Sequence, residues 1–274
     1  MTTATTNELA PVEVSSRFSL YWYVMDAARM TKRSVMHIIR SFDQVMSLVM
    51  FPIMFTVLFR YVNDGSIKLT DMSYVNFMFP GILVQTLAFG ANYTTINIAV
   101  DLQNGIVDRF RSLPMYNSSF IIGHVIADLF RNFISSIIML IVGFLVGFRP
   151  NVSFTETLSI IGIAILFTLA ISSVSAVLGM MVNSLEAAQW IGFVFIFPLT
   201  FASSAFVEPA RMKAKWLKAF AENQPFSHVI NTIRGLFHGT PIHNNVGPAI
   251  IWCVALIAIS IPLTAVMFRR KATK

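Results

Sequence analysis

Three ionisable residues share one face of an apolar segment and are the strongest candidates for proton chemistry in the sequence. His124, Asp128 and Arg131 are spaced i, i+4 and i+7, which places them on one side of a helix with Asp128 between two potential donors. A proton relay and a structural polar stripe at the cytosolic interface are the two interpretations. Because residues 133–148 alone are nearly long enough to cross a bilayer, the structural stripe is favoured.

The sequence has none of the motifs that would give this chain an active site or an ATP site of its own. It lacks a GxxxxGK[ST] phosphate loop, an HExxH zinc motif, a GxSxG nucleophile elbow and an aspartate-rich magnesium cluster. His238 and His243 flank a Gly-Thr-Pro turn with no acidic partner, so no metal site is predicted. The single cysteine, Cys253, permits no intrachain disulfide.

The densest polar motif is a short loop, DLQNGIVDRFRSLPM, at residues 101–115. Asp101 is placed to cap a helix in which Ile106, Phe110 and Leu113 share a face. Charges of both signs and a terminating proline complete the motif: Asp108, Arg109, Arg111 and Pro114. These features favour a lateral helix that presents an apolar wedge with charged edges to a partner protein. Contact of the charges with lipid headgroups is the alternative.

A second polar stripe runs along the apolar segment that precedes this loop. Thr86, Gly90, Tyr93 and Asn97 follow the spacing i, i+4, i+7, i+11 and therefore face protein or water rather than lipid. Helix packing and the lining of a transport path are both compatible with this pattern. In the second case, two phenylalanines of a later apolar segment are expected to supply apolar contacts: Phe193 and Phe197.

The composition excludes a water-soluble enzyme. Hydrophobic residues make up 55% of the 274 residues and charged residues only 12%, about half the charged fraction of a soluble protein. The formal net charge is +7, but the basic residues lie at the ends of apolar segments rather than on one soluble face. Membrane topology therefore explains the charge better than nucleic-acid binding does.

The hydropathy pattern predicts an all-α integral membrane protein with six transmembrane helices. The predicted spans are residues 45–61, 74–100, 119–148, 157–182, 188–207 and 246–268. Arg269, Arg270 and Lys271 directly follow the last span, so both termini are predicted to be cytoplasmic. The third span would extend about 45 Å as a helix, so its first half must project or break.

Polar and amphipathic segments flank these spans. Residues 1–14 are predicted to be a disordered tail, and residues 15–44 an interfacial helix whose apolar face carries Phe18, Trp22, Met25 and Ala28. Residues 45–274 form the membrane domain.

Two short amphipathic helices are predicted outside the membrane, at residues 208–221 and 227–238, interrupted by Asn223, Gln224 and Pro225. The second helix is predicted to stop at Gly239. This pattern is typical of an external hairpin that is either re-entrant or lies flat on the bilayer.

At these motifs the sequence resembles the membrane permeases of type-2 ABC exporters, in particular the daunorubicin-resistance-like branch. The similar stretches are FPGILVQTLAFG at residues 79–90, DLQNGIVDRFRSLPM at 101–115, the polar stretch at 123–132 and NQPFSHVINTIRGLFHG at 223–239. The resemblance covers about residues 17–270.

The resemblance implies a cytosolic coupling helix at residues 101–113, a second cytosolic contact near residues 183–189, and an external re-entrant helical hairpin. Gly105 and Glu186 join the loop residues named above as expected ATPase-coupling positions. The implied partners are two copies of a soluble ABC ATPase subunit, a second copy of this permease and membrane lipid, with no nucleic acid. No cofactor is expected in this chain, because ATP and Mg would bind to the partner ATPase.

The expected function is ATP-driven export of a hydrophobic or amphipathic substrate, such as a drug, an antibiotic or a lipid-like molecule, across the plasma membrane of a prokaryote. Two other classes stay open. A proton-coupled secondary transporter would use the stripe of His124, Asp128 and Arg131, and an integral membrane enzyme would use residues that form no recognisable motif. Dependence on ATP separates the first of these from an ABC exporter.

Overall fold

The computed structural model describes residues 20–41, 46, 50, 53–58, 60–61, 74–105, 117–207, 209, 212–240 and 242–271. This part of the chain is helical and contains no β-strand. Its main helices are α1 (Leu20–Arg40), α2 (Tyr74–Gln103), α3 (Asn117–Val146), α4 (Phe154–Met181), α5 (Leu185–Phe201), α6 (Lys215–Asn223), α7 (Pro225–His238) and α8 (His243–Lys271). The prediction of an all-α protein is confirmed for the described residues.

Within the described ranges, four segments are long and apolar enough to cross a membrane: Tyr74–Gln103, Ile122–Val146, Phe154–Met181 and Asn244–Phe268. The chain is therefore a multi-pass membrane protein. The shorter apolar helix α5 has 17 residues, which at 1.5 Å per residue gives about 26 Å, slightly less than the hydrocarbon thickness. Its helix ends at Phe201 rather than at residue 207. In the predicted span at residues 45–61, the structure describes residues 46, 50, 53–58, 60 and 61, which are helical, and not the others, so the count of six remains a prediction.

The third predicted span is one continuous helix of 30 residues, α3. A break in this segment, one of the two alternatives expected from its length, is therefore wrong. Helix α1 packs along the first half of α3, and Gly123 allows close approach, because a Cβ there would lie 2.5 Å from the Cβ of Met30. The first half of α3 is thus supported by protein contacts instead of being fully exposed to lipid.

Helix α1 contacts the protein through a face that the sequence pattern does not single out. Ala27, Met30, Ser34 and Ile38 are buried and follow one another at helical spacing. On a helical wheel this face lies opposite the predicted apolar face, where Ala28 is exposed. Helix α1 therefore packs on α3 with the side opposite to the predicted membrane-facing one.

Helix α2 occupies the centre of the bundle. It contacts α3, α4, α5 and α7. In the apolar stretch of α2 that could cross the membrane, 83% of the residues are buried within the protein, against 17% in that of α8. Large apolar side chains explain this burial. Phe79 stacks on Phe148 with ring centroids 3.8 Å apart, and Gly143 of α3 leaves room for the Phe79 ring.

A proline near the start of α2 creates an attachment point for α7. Pro80 has no backbone N–H, so the carbonyl of Asn76, four residues earlier, has no helical donor. The Nε2 atom of His238, at the end of α7, lies 3.0 Å from this carbonyl oxygen. The defect that proline introduces in one helix is thereby repaired by a side chain of another.

Arg234, one turn before His238, provides the second attachment of α7. Its Nε donates to the carbonyl of Phe77 at 3.0 Å and its Nη2 to the carbonyl of Ser204 at 2.6 Å. The guanidinium also lies 4.0 Å from the centroid of the Phe77 ring, and Nη1 donates to Asn231 at 2.8 Å. A single side chain therefore joins α7 to the start of α2 and to the turn that follows α5.

The two short helices meet where the sequence predicts an interruption. Helix α6 ends at Asn223, Gln224 is extended, and Pro225 occupies the first turn of α7, where its missing N–H has no cost. Gly239 ends α7 with a φ of 63°, the left-handed conformation that favours glycine. The interruption and the helix stop are confirmed. Helix α6 begins later than predicted, and the re-entrant placement stays a prediction.

Replacing Arg234 with methionine should destabilise the protein, because two backbone carbonyls lose a charged donor. We expect the free energy of unfolding to fall by roughly 3 kcal/mol, measured as a lower melting temperature of the purified protein in detergent. Lys218→Met is the control. Lys218 lies 3.8 Å from Glu222 on an exposed surface of α6, and such a pair contributes less than about 1 kcal/mol. Equal melting temperatures for the two variants would contradict the anchoring role of Arg234.

Candidate functional site

The carboxylate of Asp101 joins three helices at the end of α2. Arg33 of α1 binds it through both terminal nitrogens, with Nη2 2.6 Å from Oδ1 and Nη1 3.1 Å from Oδ2. His124 of α3 places its Nε2 3.1 Å from Oδ2. Asp101 and His124 are both buried. Two-pronged guanidinium binding fixes orientation as well as distance, so α1, α2 and α3 are held together immediately before the polar loop.

The structure corrects the predicted role of Asp101 as a helix cap. Asp101 lies inside the last turn of α2, which continues to Gln103. Its side chain is occupied by Arg33 and His124 and is not available to cap a following helix. The turn at Asn104 and Gly105 ends α2, and Gly105 has a φ of 63°, which a residue with a Cβ rarely adopts.

A second contact joins this end of α2 to the connection between α4 and α5. The amide Nε2 of Gln103 donates to the carbonyl of Asn183 at 3.2 Å. Helix α5 then begins with Ser184 as its cap, whose Oγ accepts from the backbone N–H of Ala187 at 3.1 Å. Glu186 in the first turn of α5 is exposed. Asp101, Gly105 and Glu186, three of the expected coupling positions, therefore lie at the same end of the bundle.

The other expected coupling positions fall outside the described residues. They are Ile106, Asp108, Arg109, Phe110, Arg111, Leu113 and Pro114. Their roles remain predictions from the sequence.

Asp128 forms the polar centre of the bundle. Its side chain is fully buried. One oxygen accepts from Arg131, and the other accepts from Thr94 of α2 and from Ser172 of α4, the latter at 2.8 Å. Both oxygens of the carboxylate are therefore engaged, and three helices contribute to the site.

Arg131 and Asn132 extend this polar centre along α2. Arg131 donates through Nη1 to the carbonyl of Gly90 at 3.1 Å, and its guanidinium lies 4.8 Å from the centroid of the Tyr93 ring. Asn132 donates to the carbonyl of Leu87 at 3.0 Å. A backbone carbonyl in a helix has a second lone pair, so these donors bind α2 without breaking its helical hydrogen bonds.

The predicted stripe of His124, Asp128 and Arg131 thus separates into two sites. His124 binds Asp101 at the end of α2, whereas Asp128 and Arg131 bind each other and the middle of α2 and α4. Sequence spacing correctly indicates one helical face. The partner of His124 lies 23 positions away in the chain, which helical spacing within α3 does not reveal.

The stripe on α2 faces α3 over most of its length. The Thr86 hydroxyl contacts the Met139 sulfur at 3.9 Å, and a Cβ at Gly90 would overlap the side chain of Asn132. Tyr93 packs against Arg131, while Tyr93 and Asn97 remain half-buried. The first half of the stripe is therefore packed, and the second half reaches the surface of the chain.

An aromatic ladder runs along the exposed side of α5. Trp190, Phe193, Phe197 and Phe201 follow the spacing i, i+3, i+7 and i+11, and successive ring centroids are 6.2, 5.0 and 4.3 Å apart. All four side chains are exposed. Phe89 of α2 joins the ladder with its centroid 6.0 Å from that of Phe193. The sequence analysis selected Phe193 and Phe197, and helical spacing would also have identified Trp190 and Phe201.

No group of three or more His, Cys, Asp or Glu side chains suited to a metal ion occurs among the described residues. Cys253 is buried within α8. The polar residues that the structure does bring together bind other helices and so position these helices.

The chain is similar to known membrane transport proteins. A family model described as ABC-2 type transporter matches residues 27–238. A daunorubicin resistance ABC transporter permease protein of Streptomyces coeruleorubidus is 29% identical over 228 residues, which cover 83% of this chain and 80% of the relative. A Mycobacterium tuberculosis protein named "Probable doxorubicin resistance ABC transporter permease protein" is 23% identical over 274 residues, with 99% of each chain covered.

The buried pair gives a stability prediction that also separates a structural role from a proton relay. Asp128→Leu leaves Arg131 buried without its counter-charge. The free energy of unfolding should therefore fall by about 3–5 kcal/mol, measured as a lower yield and a lower melting temperature. The double variant Asp128→Leu/Arg131→Met should recover most of this loss and keep its activity. A double variant that is as unstable as the single one would contradict the pairing, and a stable but inactive one would favour the relay.

Proposed function

This chain belongs to the ABC-2 type transporter family and is a transmembrane permease subunit, and we propose that it exports a hydrophobic or amphipathic molecule from the cytoplasm. The proposed substrate class includes drugs, antibiotics and lipid-like molecules. It rests on the two relatives, which carry daunorubicin and doxorubicin resistance in their names, and on the exposed aromatic ladder of α5.

A separate ATPase subunit, present in two copies, supplies the energy. The sequence of this chain lacks a phosphate loop, so ATP and Mg bind to the partner. Two copies of the permease form the pathway in the plasma membrane of a prokaryote. Both termini are placed in the cytoplasm, because Arg269, Arg270 and Lys271 directly follow α8's apolar segment.

The contacts of Asp101 and Gln103 support the proposed coupling of this permease to the ATPase. Asp101 ties the end of α2 to α1 and α3, and Gln103 ties it to the connection that leads to α5. A partner that pushes on the loop at residues 106–113 would therefore displace α1, α2 and α3 together and act on the connection between α4 and α5. Such an arrangement converts a local contact into a rigid-body rotation of the permease.

The same geometry weighs against the alternative of a proton-coupled secondary transporter. Both oxygens of Asp128 accept hydrogen bonds from neighbouring helices, and Arg131 supplies a permanent counter-charge. A proton carrier needs a carboxylate that exchanges protons with water. The contacts of Asp128 support a structural role.

The coupling loop can be tested in the permease–ATPase complex. Arg109→Glu combined with Arg111→Glu should lower the stimulation of ATPase activity by the permease, because two charges at the edge of the wedge are reversed. Phe110→Ala should weaken copurification of the ATPase by about five- to thirtyfold if the ring is buried in the partner. Lys213→Glu, at an exposed position next to α6, is the control and should behave as the wild type.

Full transport by the double arginine variant would contradict the coupling role of the loop. Unchanged copurification of the ATPase with the Phe110→Ala variant would exclude Phe110 as an anchor. Absence of any ATP-dependent export by the wild-type complex would overturn the proposed function itself.

The substrate path is predicted to involve the half-buried part of the α2 stripe and the aromatic ladder. Tyr93→Phe, Asn97→Leu and Phe197→Ala should change the relative export of several apolar compounds while yield and basal ATPase activity stay near normal. Tyr93→Phe keeps the ring beneath Arg131 and removes only the hydroxyl, so its effect is the most direct. Thr86→Val, at a buried position against Met139, is the packing control.

Measuring export of each compound, normalised to the amount of permease, checks this prediction. A packing role predicts an equal loss for all compounds that follows protein abundance, as is expected for Thr86→Val. Such a result for Tyr93→Phe and Asn97→Leu would remove these residues from the path.

A further inference from the structure

A second polar stripe on α2 lies about 140° around the helix from the stripe that begins at Thr86 and ends at Asn97, and it faces α5. Gly81, Gln85, Ala88 and Asn92 follow the spacing i, i+4, i+7, i+11 and lie within about 60° of one another around the helix. Contacts at both ends show that this stripe meets the α5 side of the bundle. A Cβ at Gly81 would lie 2.6 Å from the backbone of Ala205, and a Cβ at Gly192 would overlap the side chain of Asn92.

The two amide side chains of this stripe are buried without partners. Gln85 is fully buried and Asn92 is 9% exposed. In the described part of the chain, neither Oε1 nor Nε2 of Gln85 has a hydrogen-bond partner, and the same holds for Oδ1 of Asn92. Hydrocarbon supplies no replacement partner, so unpaired amides between two membrane helices oppose the closed packing of those helices.

Between its two ends, helix α5 contacts the protein through a narrow row of side chains. Its buried residues are Ala188, Gly192, Ile196 and Thr200, which form one row at intervals of four. The other residues of α5 are exposed or partly exposed. Small side chains allow close approach but provide little contact area. We call the surface between this row and the stripe of α2 the α2–α5 seam.

From the proposed export function, we propose that the α2–α5 seam opens during transport and that Gln85 and Asn92 then bind the hydrogen-bonding groups of an amphipathic substrate. An amide offers both donors and acceptors, so the expected ligand carries hydroxyl, carbonyl or amine groups on an apolar body. The aromatic ladder next to the seam contacts the apolar part. When the seam closes, the amides lose these partners, which favours release of the polar groups.

The first test replaces each amide with an apolar side chain of similar size. Gln85→Met and Asn92→Leu remove unpaired polar groups, so each should raise the apparent melting temperature of the permease by roughly 2–4 °C. In proteoliposomes with the ATPase, export of daunorubicin, which has several hydroxyl and carbonyl groups, should fall several-fold. Export of tetraphenylphosphonium, which has no hydrogen-bonding group, should change much less.

Thr95→Val is the matched control for these substitutions. Thr95 is a buried polar residue of the same helix, but its hydroxyl donates to the carbonyl of Ser175 in α4 at 2.9 Å. Its loss should lower the melting temperature and affect both compounds equally. An unchanged ratio of the two compounds in the Gln85→Met and Asn92→Leu variants, or a lower melting temperature, would overturn the proposal.

The second test detects opening without relying on a particular substrate. Ala88 is fully buried in the seam, so an Ala88→Cys thiol in a Cys253→Ala background should react with N-ethylmaleimide only when the seam admits water. We expect ATP and Mg to raise the labelling rate several-fold. Ala170→Cys, equally buried in α4, is the control and should not respond.

Failure of the proposed seam opening and failure of the proposed export function give different results. A complex that exports daunorubicin with ATP but shows the same labelling rate at positions 88 and 170 would refute the seam and leave the export function intact. A wild-type complex that exports neither compound with ATP would refute the export function.

Discussion

A charge buried in an apolar helix bundle must be paired within the protein, because hydrocarbon offers it no other partner. This constraint applies to Asp128, whose side chain is fully buried. The carboxylate collects donors from α2, α3 and α4, so these helices cannot separate without leaving a bare charge. Apolar contacts alone would hold them less specifically, since lipid tails are as apolar as leucine and compete for the same surfaces. The contacts of Asp128 therefore make the position of α2 between α3 and α4 specific.

The same rule explains how both ends of α2 are fixed. At one end, Asp101 is bound by Arg33 and His124. At the other, the carbonyl that Pro80 leaves without a helical donor is bound by His238, and Arg234 binds the next carbonyl. Proline in a helix is usually treated as a weak point. Here it exposes an acceptor that α7 uses, so the interruption of α2 becomes a tertiary contact.

Hydropathy and helical spacing predicted much of this fold, because both depend on local sequence. The apolar segments became helices at nearly the predicted positions, the stop at Gly239 is where it was expected, and the shared face of Asp128 and Arg131 follows from their spacing. What local patterns do not contain is the identity of partners on other helices. Arg33 and Asp101 are 68 positions apart, and no periodicity connects them. The same applies to Arg234 and Phe77, 157 positions apart. The capping role expected for Asp101 was wrong for this reason: a local pattern was used for a side chain whose partners are distant.

These contacts divide the described helices into a strongly connected group and one helix that is held differently. Polar contacts link α2 to α1, α3, α4 and α7 along its whole length, so a displacement applied at Asp101 is carried by the group as one body. Helix α5 meets this group through a row of small or apolar side chains, and the two amides opposite that row are unpaired. Gln85 is the described buried side chain whose oxygen and nitrogen are both unpaired, so opening of the α2–α5 seam would let a buried amide find partners that the closed seam does not offer. Buried amides without partners favour a state in which they find one, so conformational change is expected where Gln85 and Asn92 lie.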